Sequence, residues 1–136
     1  MCGFVGYINA TDEAKKNEAV IRAMADRIVH RGPDQDDYYV DSDISLGFRR
    51  LSIIDLSGGS QPILNEDGSK VLLFNGEIYN FQPLREELLE KGHTFKTKTD
   101  SEVLLHGYEQ WGKDMLVRLR GMFAFVIWDK NEKKLF

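Results

Sequence analysis

The sequence predicts a layered fold of mixed helices and strands. Strand-like segments alternate along the chain with amphipathic helical patterns, and Gly residues or Asn and Asp residues separate them. Met122 to Trp128 form a run of seven apolar residues, which is typical of a strand covered on both faces. The 136 residues, 42% of them hydrophobic, suffice for one core but not comfortably for two. From these features alone we expect an α/β/α body.

The first half of the chain predicts a strand, a helix and a pair of strands. Phe4 to Ile8 is strand-like and begins almost at the N-terminus. Thr11 to Val29 opens with acidic residues, closes with basic ones and carries apolar residues at helical spacing, namely Val20, Ile21, Met24 and Ile28. Tyr38 to Val40 and Ile44 to Leu51 predict two strands joined by an Asp-Ser-Asp turn.

The second half predicts a strand followed by two helices. Val71 to Phe74 is a short apolar segment after the turn residues Asn65, Asp67 and Gly68. Phe81 to Lys91 predicts a helix with a proline in its first turn and a glycine after its end. Thr99, with Glu102 three residues later, predicts a capping box at the start of a helix that ends at Trp111. The apolar face of this helix would consist of Val103, Leu104 and Tyr108.

The C-terminal residues predict a returning strand without a closing element. Lys130 to Lys133 can turn the chain back toward Leu135 and Phe136. A sheet that ends there would leave apolar side chains and backbone groups exposed to water. We therefore expect residues 1–136 to be one incomplete domain, the N-terminal part of a larger protein.

Composition excludes several classes of function. The net charge is −4 and Lys and Arg form no run, which argues against a nucleic-acid surface. The sequence shows neither a secretion leader nor an apolar stretch of about 18 residues, so we expect no membrane segment. A single cysteine permits no internal disulfide, which favours the reducing cytoplasm. The histidines share no metal-ligand spacing, so we predict no metal site and a structural role for His30, His93 and His106.

Cys2 is the first candidate catalytic residue. Removal of Met1 would leave a residue that carries both a thiol and a free α-amine. Thiols ordinarily have a pKa of about 8.5 and α-amines one of about 7.7–8.0, so the amine can accept the thiol proton near neutral pH. Cys2 can therefore act as a nucleophile with its own base, although its position alone is also compatible with chance.

Arg49 and Arg50 interrupt a strand-like segment. Neighbouring residues of a strand face opposite sides, so only one of the two can point into a site. The planar guanidinium group is suited to a carboxylate. An exposed arginine at a strand edge is the alternative.

Asn75 and Gly76 follow the predicted strand that ends at Phe74. A side-chain amide beside a glycine N–H offers two adjacent donors, as an oxyanion requires. The same dipeptide is common in hairpin turns, which is the alternative interpretation. Asp100 could bind a substrate ammonium group, or it could simply interact with the dipole of the helix that follows.

Six segments together give the sequence a resemblance to a known family. They are MCGFVGY at the start, HRGPD at 30–34, RRLSIID at 49–55, NGEIYN at 75–80, TDSE at 99–102 and GMFAF at 121–125. In this order and spacing they resemble the glutaminase domain of glutamine-hydrolysing asparagine synthetases, which are class II glutamine amidotransferases. The resemblance covers the whole chain. It implies the N-terminal-nucleophile hydrolase fold, an α+β four-layer αββα sandwich of antiparallel sheets, here incomplete at its C-terminus.

The resemblance also implies the roles of individual residues. Cys2 matches the nucleophile that forms a glutamyl thioester, with its α-amine as base and then as proton donor. Asn75 and Gly76 match the oxyanion hole. Arg50 matches the group that binds the glutamine carboxylate. The remaining matches are with contacts around the α-ammonium, Glu77 and Asp100, and with pocket-lining residues, Leu51, Ser52, Ile53 and Ile54.

The implied activity is hydrolysis of L-glutamine to glutamate and ammonia. The ammonia would serve ATP-dependent asparagine synthesis from aspartate in the protein's own C-terminal synthetase domain, which would bind ATP and magnesium. Residues 1–136 themselves would need no cofactor. Two alternatives remain: an amidotransferase that serves another acceptor in surface-sugar or secondary metabolism, and a non-catalytic scaffold of the same fold. Whether Met1 is removed and whether the protein is a homodimer are left open.

Overall fold

The computed structural model describes residues 2–51 and 60–136. The chain divides into two compact units, Met1–Pro62 and Ile63–Phe136. Each unit contains its own antiparallel sheet, of three strands in the first and four in the second. None of the helices in the described part of the chain is long and apolar enough to cross a membrane.

The first unit is a sheet with one α-helix packed against it. Its elements are β1 (Gly3–Ile8), α1 (Ala14–Asp26), β2 (Gln35–Val40) and β3 (Ile44–Arg50). The strand order is β1-β3-β2, with all neighbours antiparallel. Gly3 pairs with Arg49, so the start of β1 lies beside the end of β3. Buried apolar side chains from α1 and β3 form the core, including Ile21, Ile44, Leu46 and Phe48.

Helix α1 is shorter than the sequence predicts, and it buries a different face. Asn17, Ile21 and Ala25 are its buried residues, whereas Val20 is 43% exposed. Thr11 lies before the helix, where its backbone oxygen accepts a hydrogen bond of 2.8 Å from the Asn17 side chain. The inner face of α1 therefore includes a polar residue, Asn17, which the hydrophobic spacing did not predict.

The second unit is a sheet of four strands with two α-helices. Its elements are β4 (Ile63–Leu64), β5 (Lys70–Ile78), α2 (Phe81–Glu90), α3 (Ser101–Trp111), β6 (Gly121–Asp129) and β7 (Lys134–Leu135), with a 3-10 helix at Gly112–Arg118 before β6. The strand order follows the sequence, and all neighbours are antiparallel. A hydrophobic core joins the sheet to both helices, and it includes Leu72, Phe74, Leu84, Leu88, Val103 and Leu104.

Strands β5 and β6 correct two predictions. Asn75 and Gly76 lie within β5 and pair with Ala124 and Phe123, so the hairpin-turn interpretation is wrong. Strand β6 is not covered on both faces throughout, because Met122 is 68% exposed. The prediction of a doubly covered strand holds only toward its end, where Ile127 and Trp128 are buried. A long apolar run could not reveal that one face of its first half is open.

The predicted capping box at α3 is also wrong. Asp100, not Thr99, is the N-cap residue, and its side chain makes no capping hydrogen bond. The buried carboxylate of Glu102 instead accepts hydrogen bonds from the N–H groups of Lys96, at 3.1 Å, and Thr97, at 2.8 Å. Glu102 therefore stabilises the loop before the helix rather than the first turn of the helix itself.

The predictions made from local patterns otherwise hold for most elements. The strand at β1, the β2–β3 pair, helix α2 and the returning strand β7 are confirmed. The α/β/α body expected from composition and periodicity is corrected in one respect: every described strand pairing is antiparallel. The fold is therefore α+β, with antiparallel sheets, as the family resemblance implies.

Candidate active site

Cys2 lies directly before β1, at the edge of the first sheet where β3 ends. Its Sγ is 3.4 Å from the backbone nitrogen of Leu51 and 3.9 Å from the carbonyl oxygen of the same residue. The side chain is half-buried. A thiol in this position is fixed by backbone groups but remains accessible, and the N–H of Leu51 can donate to a thiolate.

The segment after α1 holds the backbone of Arg50 in place. Gly32 passes so close to β3 that a Cβ atom there would lie 2.5 Å from the Arg50 nitrogen. The N–H of Asp34 donates a hydrogen bond of 3.1 Å to the Arg50 carbonyl oxygen. Arg31 donates from Nη2 to the carbonyl oxygen of Cys2 at 3.4 Å. The HRGPD segment, which resembles an ordinary helix exit in the sequence, thus positions both Cys2 and Arg50.

The two adjacent arginines have different surroundings. Arg49 donates from Nε to the carbonyl oxygen of Ala25 at 3.3 Å and forms an ion pair with Asp26, so it is bound to the end of α1. Its side chain is only 12% exposed. Arg50 lies 3.4 Å from the side-chain oxygen of Gln35 through Nη1. Because neighbouring residues of a strand face opposite sides, Arg50 lies on the face away from this ion pair and is the better candidate for a ligand carboxylate.

Asn75 and Gly76 lie in the last part of β5, where this strand pairs with β6 in the second unit. Gly76 has a φ of +148°, and a Cβ atom there would lie 2.5 Å from the Cα of Phe123 and would overlap the carbonyl oxygen of Met122. Only glycine fits this close approach of two strands. Both residues are half-buried, so their donors lie in a partly desolvated environment.

Asp100 connects the start of α3 to the strand that carries Asn75. Its Oδ2 accepts a hydrogen bond of 2.7 Å from the N–H of Ile78, the last residue of β5. Burial raises the pKa of Asp100, and the negative charge of Glu77 adds to this effect, while backbone hydrogen bonds act in the opposite direction. A positive group bound here would relieve the cost of the buried charge. The pair of carboxyl groups is therefore chemically suited to an ammonium group.

Asn80 is a supporting residue that sequence reasoning did not single out. Its side chain donates to the carbonyl oxygen of Arg118 and accepts from the N–H of Arg120, each at 2.8 Å. These bonds fix the chain where it enters β6. Gly121 has a similar role, since a Cβ atom there would overlap the carbonyl oxygen of Glu77. The signal was present, because Asn80 and Gly121 belong to two of the six segments, but their spacing gave no role.

The predicted site residues fall into two groups. Cys2, Arg50 and Leu51 belong to the first unit and lie at one end of its sheet. The residues of the second unit are gathered around the last part of β5, namely Asn75, Gly76, Glu77 and Asp100. Ser52, Ile53 and Ile54 lie outside the described residues.

The sequence matches a known family over its whole length. Residues 1–136 match the glutamine amidotransferase domain, and the chain belongs to this family. It is 51% identical over 138 residues to asparagine synthetase [glutamine-hydrolyzing] 1 of Bacillus subtilis, covering 100% of this chain and 22% of that protein. It is 46% identical over 132 residues to a probable asparagine synthetase of Dictyostelium discoideum, covering 96% of this chain and 24% of that protein. The chain thus spans about a quarter or less of the length of these relatives.

Solved structures support the same classification. Glutamine phosphoribosylpyrophosphate amidotransferase from Bacillus subtilis is similar with a TM-score of 0.53 and 29% sequence identity, over 67% of this chain and 22% of that one. The fold is that of the N-terminal-nucleophile amidotransferases, which confirms the predicted α+β class. The matched parts of the asparagine synthetases contain the counterpart of this glutamine amidotransferase domain.

Proposed function

We propose that Cys2 hydrolyses L-glutamine to glutamate and ammonia, and that the ammonia serves asparagine synthesis from aspartate in a synthetase domain of the same protein. The observation that carries this proposal is the position of the thiol. Its Sγ lies 3.4 Å from the Leu51 nitrogen at the start of a chain that matches the amidotransferase family from its first residue. The similarity to asparagine synthetases supports this acceptor over others.

The reaction begins once Met1 is removed. The α-amine of Cys2 takes the thiol proton, and the thiolate attacks the side-chain amide carbon of glutamine. The side-chain amide of Asn75 and the N–H of Gly76 donate to the oxygen of the tetrahedral intermediate. The C–N bond then breaks, and ammonia leaves with the proton held by the α-amine. Water, deprotonated by the same amine, hydrolyses the thioester and returns the thiol.

The charged ends of glutamine are assigned to different residues. Arg50 binds the α-carboxylate, a role supported by the commitment of Arg49 to Asp26 and Ala25. Asp100, with Glu77 nearby, binds the α-ammonium, and the raised pKa of Asp100 supports this role. Backbone groups of Leu51, together with Ser52, Ile53 and Ile54, are proposed to line the pocket.

The synthetase half of the reaction is assigned to chain outside these residues. ATP and magnesium would serve that part, and no residue of this chain is proposed to bind them. A single cysteine used as a reduced nucleophile favours a location in the cytoplasm. An acceptor other than aspartate is the alternative, because the chemistry at Cys2 would be the same for any ammonia acceptor.

The experiment compares protein that begins at Cys2 with protein that keeps Met1. Mass spectrometry defines the N-terminus of each preparation, and release of glutamate from glutamine is measured on both. We expect activity only in the form that begins at Cys2. A matched Cys2→Ala variant should release no glutamate while it still makes asparagine from added ammonia in the full protein. Equal activity with Met1 retained would overturn the α-amine mechanism, and glutamate release without asparagine formation would overturn the assigned acceptor.

A further inference from the structure

Two histidines and a glutamate converge in the second unit, on residues to which the glutaminase proposal gives no role. His106 and Glu109 are three residues apart on α3, and His93 lies in the loop after α2. One ligand atom from each of the three lies within 4.8 Å of the others. Sequence spacing alone could not reveal this cluster, because it forms only when the loop packs against the helix.

The carboxylate of Glu109 is oriented by a buried amide. Asn65 donates to Oε1 of Glu109 at 2.6 Å, and Asn65 is itself fixed by its bond from the Lys70 N–H at 2.9 Å. This leaves Oε2 of Glu109 directed at the histidines, 3.0 Å from Nδ1 of His106 and 3.6 Å from Nδ1 of His93. One oxygen is thus held by the fold, and the other points to both rings.

The second nitrogen of His93 has its own partner. Nε2 lies 3.1 Å from the side-chain oxygen of Gln110, which can only accept a hydrogen bond. With Nε2 as the donor of this bond, the neutral ring has its lone pair on Nδ1, the nitrogen that lies 3.6 Å from the Glu109 carboxylate. Histidines that bind metals usually donate from their other ring nitrogen in this way. A lone pair that faces a carboxylate oxygen is an arrangement that a cation would stabilise.

A second carboxylate lies at the edge of the cluster. Oε1 of Glu66, from the turn between β4 and β5, is 3.8 Å from Nδ1 of His106. Glu66 is also reached by the N–H of Thr94 at 3.4 Å. The ring of Phe95 packs edge-on against His106 at a centroid distance of 4.6 Å. His106 therefore has both an aromatic ring and a half-exposed carboxylate as neighbours.

We propose that His93, His106 and Glu109 form a Zn²⁺ site, with Glu66 or water as the fourth ligand. Two imidazoles and carboxylates are a donor set that zinc favours. Zinc bonds of about 2.0–2.2 Å in a tetrahedron place the ligand atoms about 3.3–3.6 Å apart. Oε2 of Glu109 lies 3.0 and 3.6 Å from the two histidine nitrogens, and the three ligand atoms all lie within 4.8 Å of one another, so zinc binding would draw the side chains slightly closer together. Zinc would bind Nδ1 of the neutral His106 ring, whose proton must then lie on Nε2. The ion would connect the α2–α3 loop, α3 and the β4–β5 turn.

The experiment measures zinc binding to metal-free protein by calorimetric titration with ZnCl₂. A Cys2→Ala background removes the N-terminal thiol, which could bind zinc independently. We expect one equivalent of zinc per chain. Glu109→Gln and His93→Asn should each weaken binding by more than about 100-fold, since even the loss of a partner of a ligand costs about 10–100-fold. His30→Asn is the matched control, because it removes the remaining histidine from a position outside the cluster.

A second measurement separates ligand loss from misfolding. Co²⁺ in place of zinc should give the visible absorption of a four-coordinate site in the Cys2→Ala protein and in the His30→Asn control, but not in Glu109→Gln. Circular dichroism shows whether each variant is folded, and Glu109→Gln keeps an oxygen that can accept from Asn65. Absence of stoichiometric zinc binding, retention of binding in both ligand variants, or its equal loss in the His30→Asn control would overturn the proposal.

Discussion

The carboxylate of Asp100 accepts a hydrogen bond of 2.7 Å from the backbone N–H of Ile78, two residues beyond Gly76 on the same strand. This bond fixes the start of α3 to the strand that carries the proposed oxyanion donors. The same carboxyl group is proposed to bind the substrate ammonium. A substitution at Asp100 can therefore separate its structural role from its role in binding, provided that the acceptor for Ile78 is kept.

Asp100→Asn is expected to weaken glutamine binding. The variant retains a side-chain oxygen for the Ile78 N–H but loses the negative charge opposite the ammonium group. Since the ammonium is charged in both ground and transition states, the KM for glutamine should rise by about tenfold or more while kcat changes little. Steady-state glutamate release decides this. An unchanged KM would remove Asp100 from the binding site.

The same variant should be more stable than the wild-type protein at neutral pH without substrate. Burial raises the pKa of Asp100, so the folded protein binds this proton more tightly than the unfolded chain does. The free energy of unfolding therefore falls as the pH rises from the pKa of the unfolded chain to that of the folded protein, and Asn avoids this loss. The difference should shrink as the pH falls through the raised pKa toward about 3.9, the ordinary value for aspartate. Thermal melts at several pH values test it, and a lower Tm for the variant at pH 7 would contradict it.

Arg50→Lys is expected to weaken glutamine binding, whereas Arg49→Lys is expected to lower the stability of the fold. Lysine cannot reproduce the planar fork, so Arg50→Lys should raise the KM for glutamine by about tenfold. Arg49→Lys should leave KM nearly unchanged but lower the free energy of unfolding by about 1 kcal/mol, because Arg49 bonds to Ala25 and Asp26. Steady-state kinetics and denaturant titration are measured on both variants, so that each variant is the control for the effect expected in the other. A KM effect confined to Arg49→Lys would reverse the assignment.

Local sequence signals predicted those elements whose cause is local. The helix at α2 has its proline and its following glycine within one segment, and it begins at Phe81 as predicted. The Asp41–Asp43 turn was also predicted from the sequence. The side chain of Asp41 accepts hydrogen bonds of 2.8 Å from the N–H groups of Asp43 and Ile44, which stabilises the turn locally. Such interactions span only a few residues, so the residue types suffice to predict them.

Features that depend on distant partners could not be predicted in this way. Asn75 and Gly76 have the composition of a turn, but pairing with Ala124 and Phe123 holds them in a strand. Glu102 has capping-box spacing, yet its carboxylate bonds to the preceding loop at Lys96 and Thr97. The same limit applies to the roles of the two arginines, since alternation distinguishes their faces but not which face meets α1. Residue types and positions made Cys2, Asn75 and Asp100 candidates, but the alternatives for each were set aside only by the family resemblance.

Asn75→Ala is expected to lower kcat by about 10²–10³ with little change in the KM for glutamine. The side-chain amide is proposed to donate to the oxyanion, which exists only in the tetrahedral intermediate and the states near it. Glutamate release under saturating glutamine gives kcat, and circular dichroism checks that β5 is intact. If kcat stays within a few-fold of the wild-type value, the amide of Asn75 does not stabilise the oxyanion.

Gly76→Ala should be much more damaging than an alanine at another glycine of positive φ. Gly112 has a φ of +56°, and a Cβ atom there would have no neighbour within 4 Å among the described residues, so Gly112→Ala adds backbone strain alone, about 1–3 kcal/mol. At Gly76 the φ of +148° is combined with overlap of the Met122 carbonyl oxygen, so a methyl group must also push β5 away from β6. We expect Gly76→Ala to cost at least about 2 kcal/mol more than the control and to abolish glutamate release. Denaturant titration of both variants measures the difference, and equal destabilisation would mean that the two strands can separate at this point without cost.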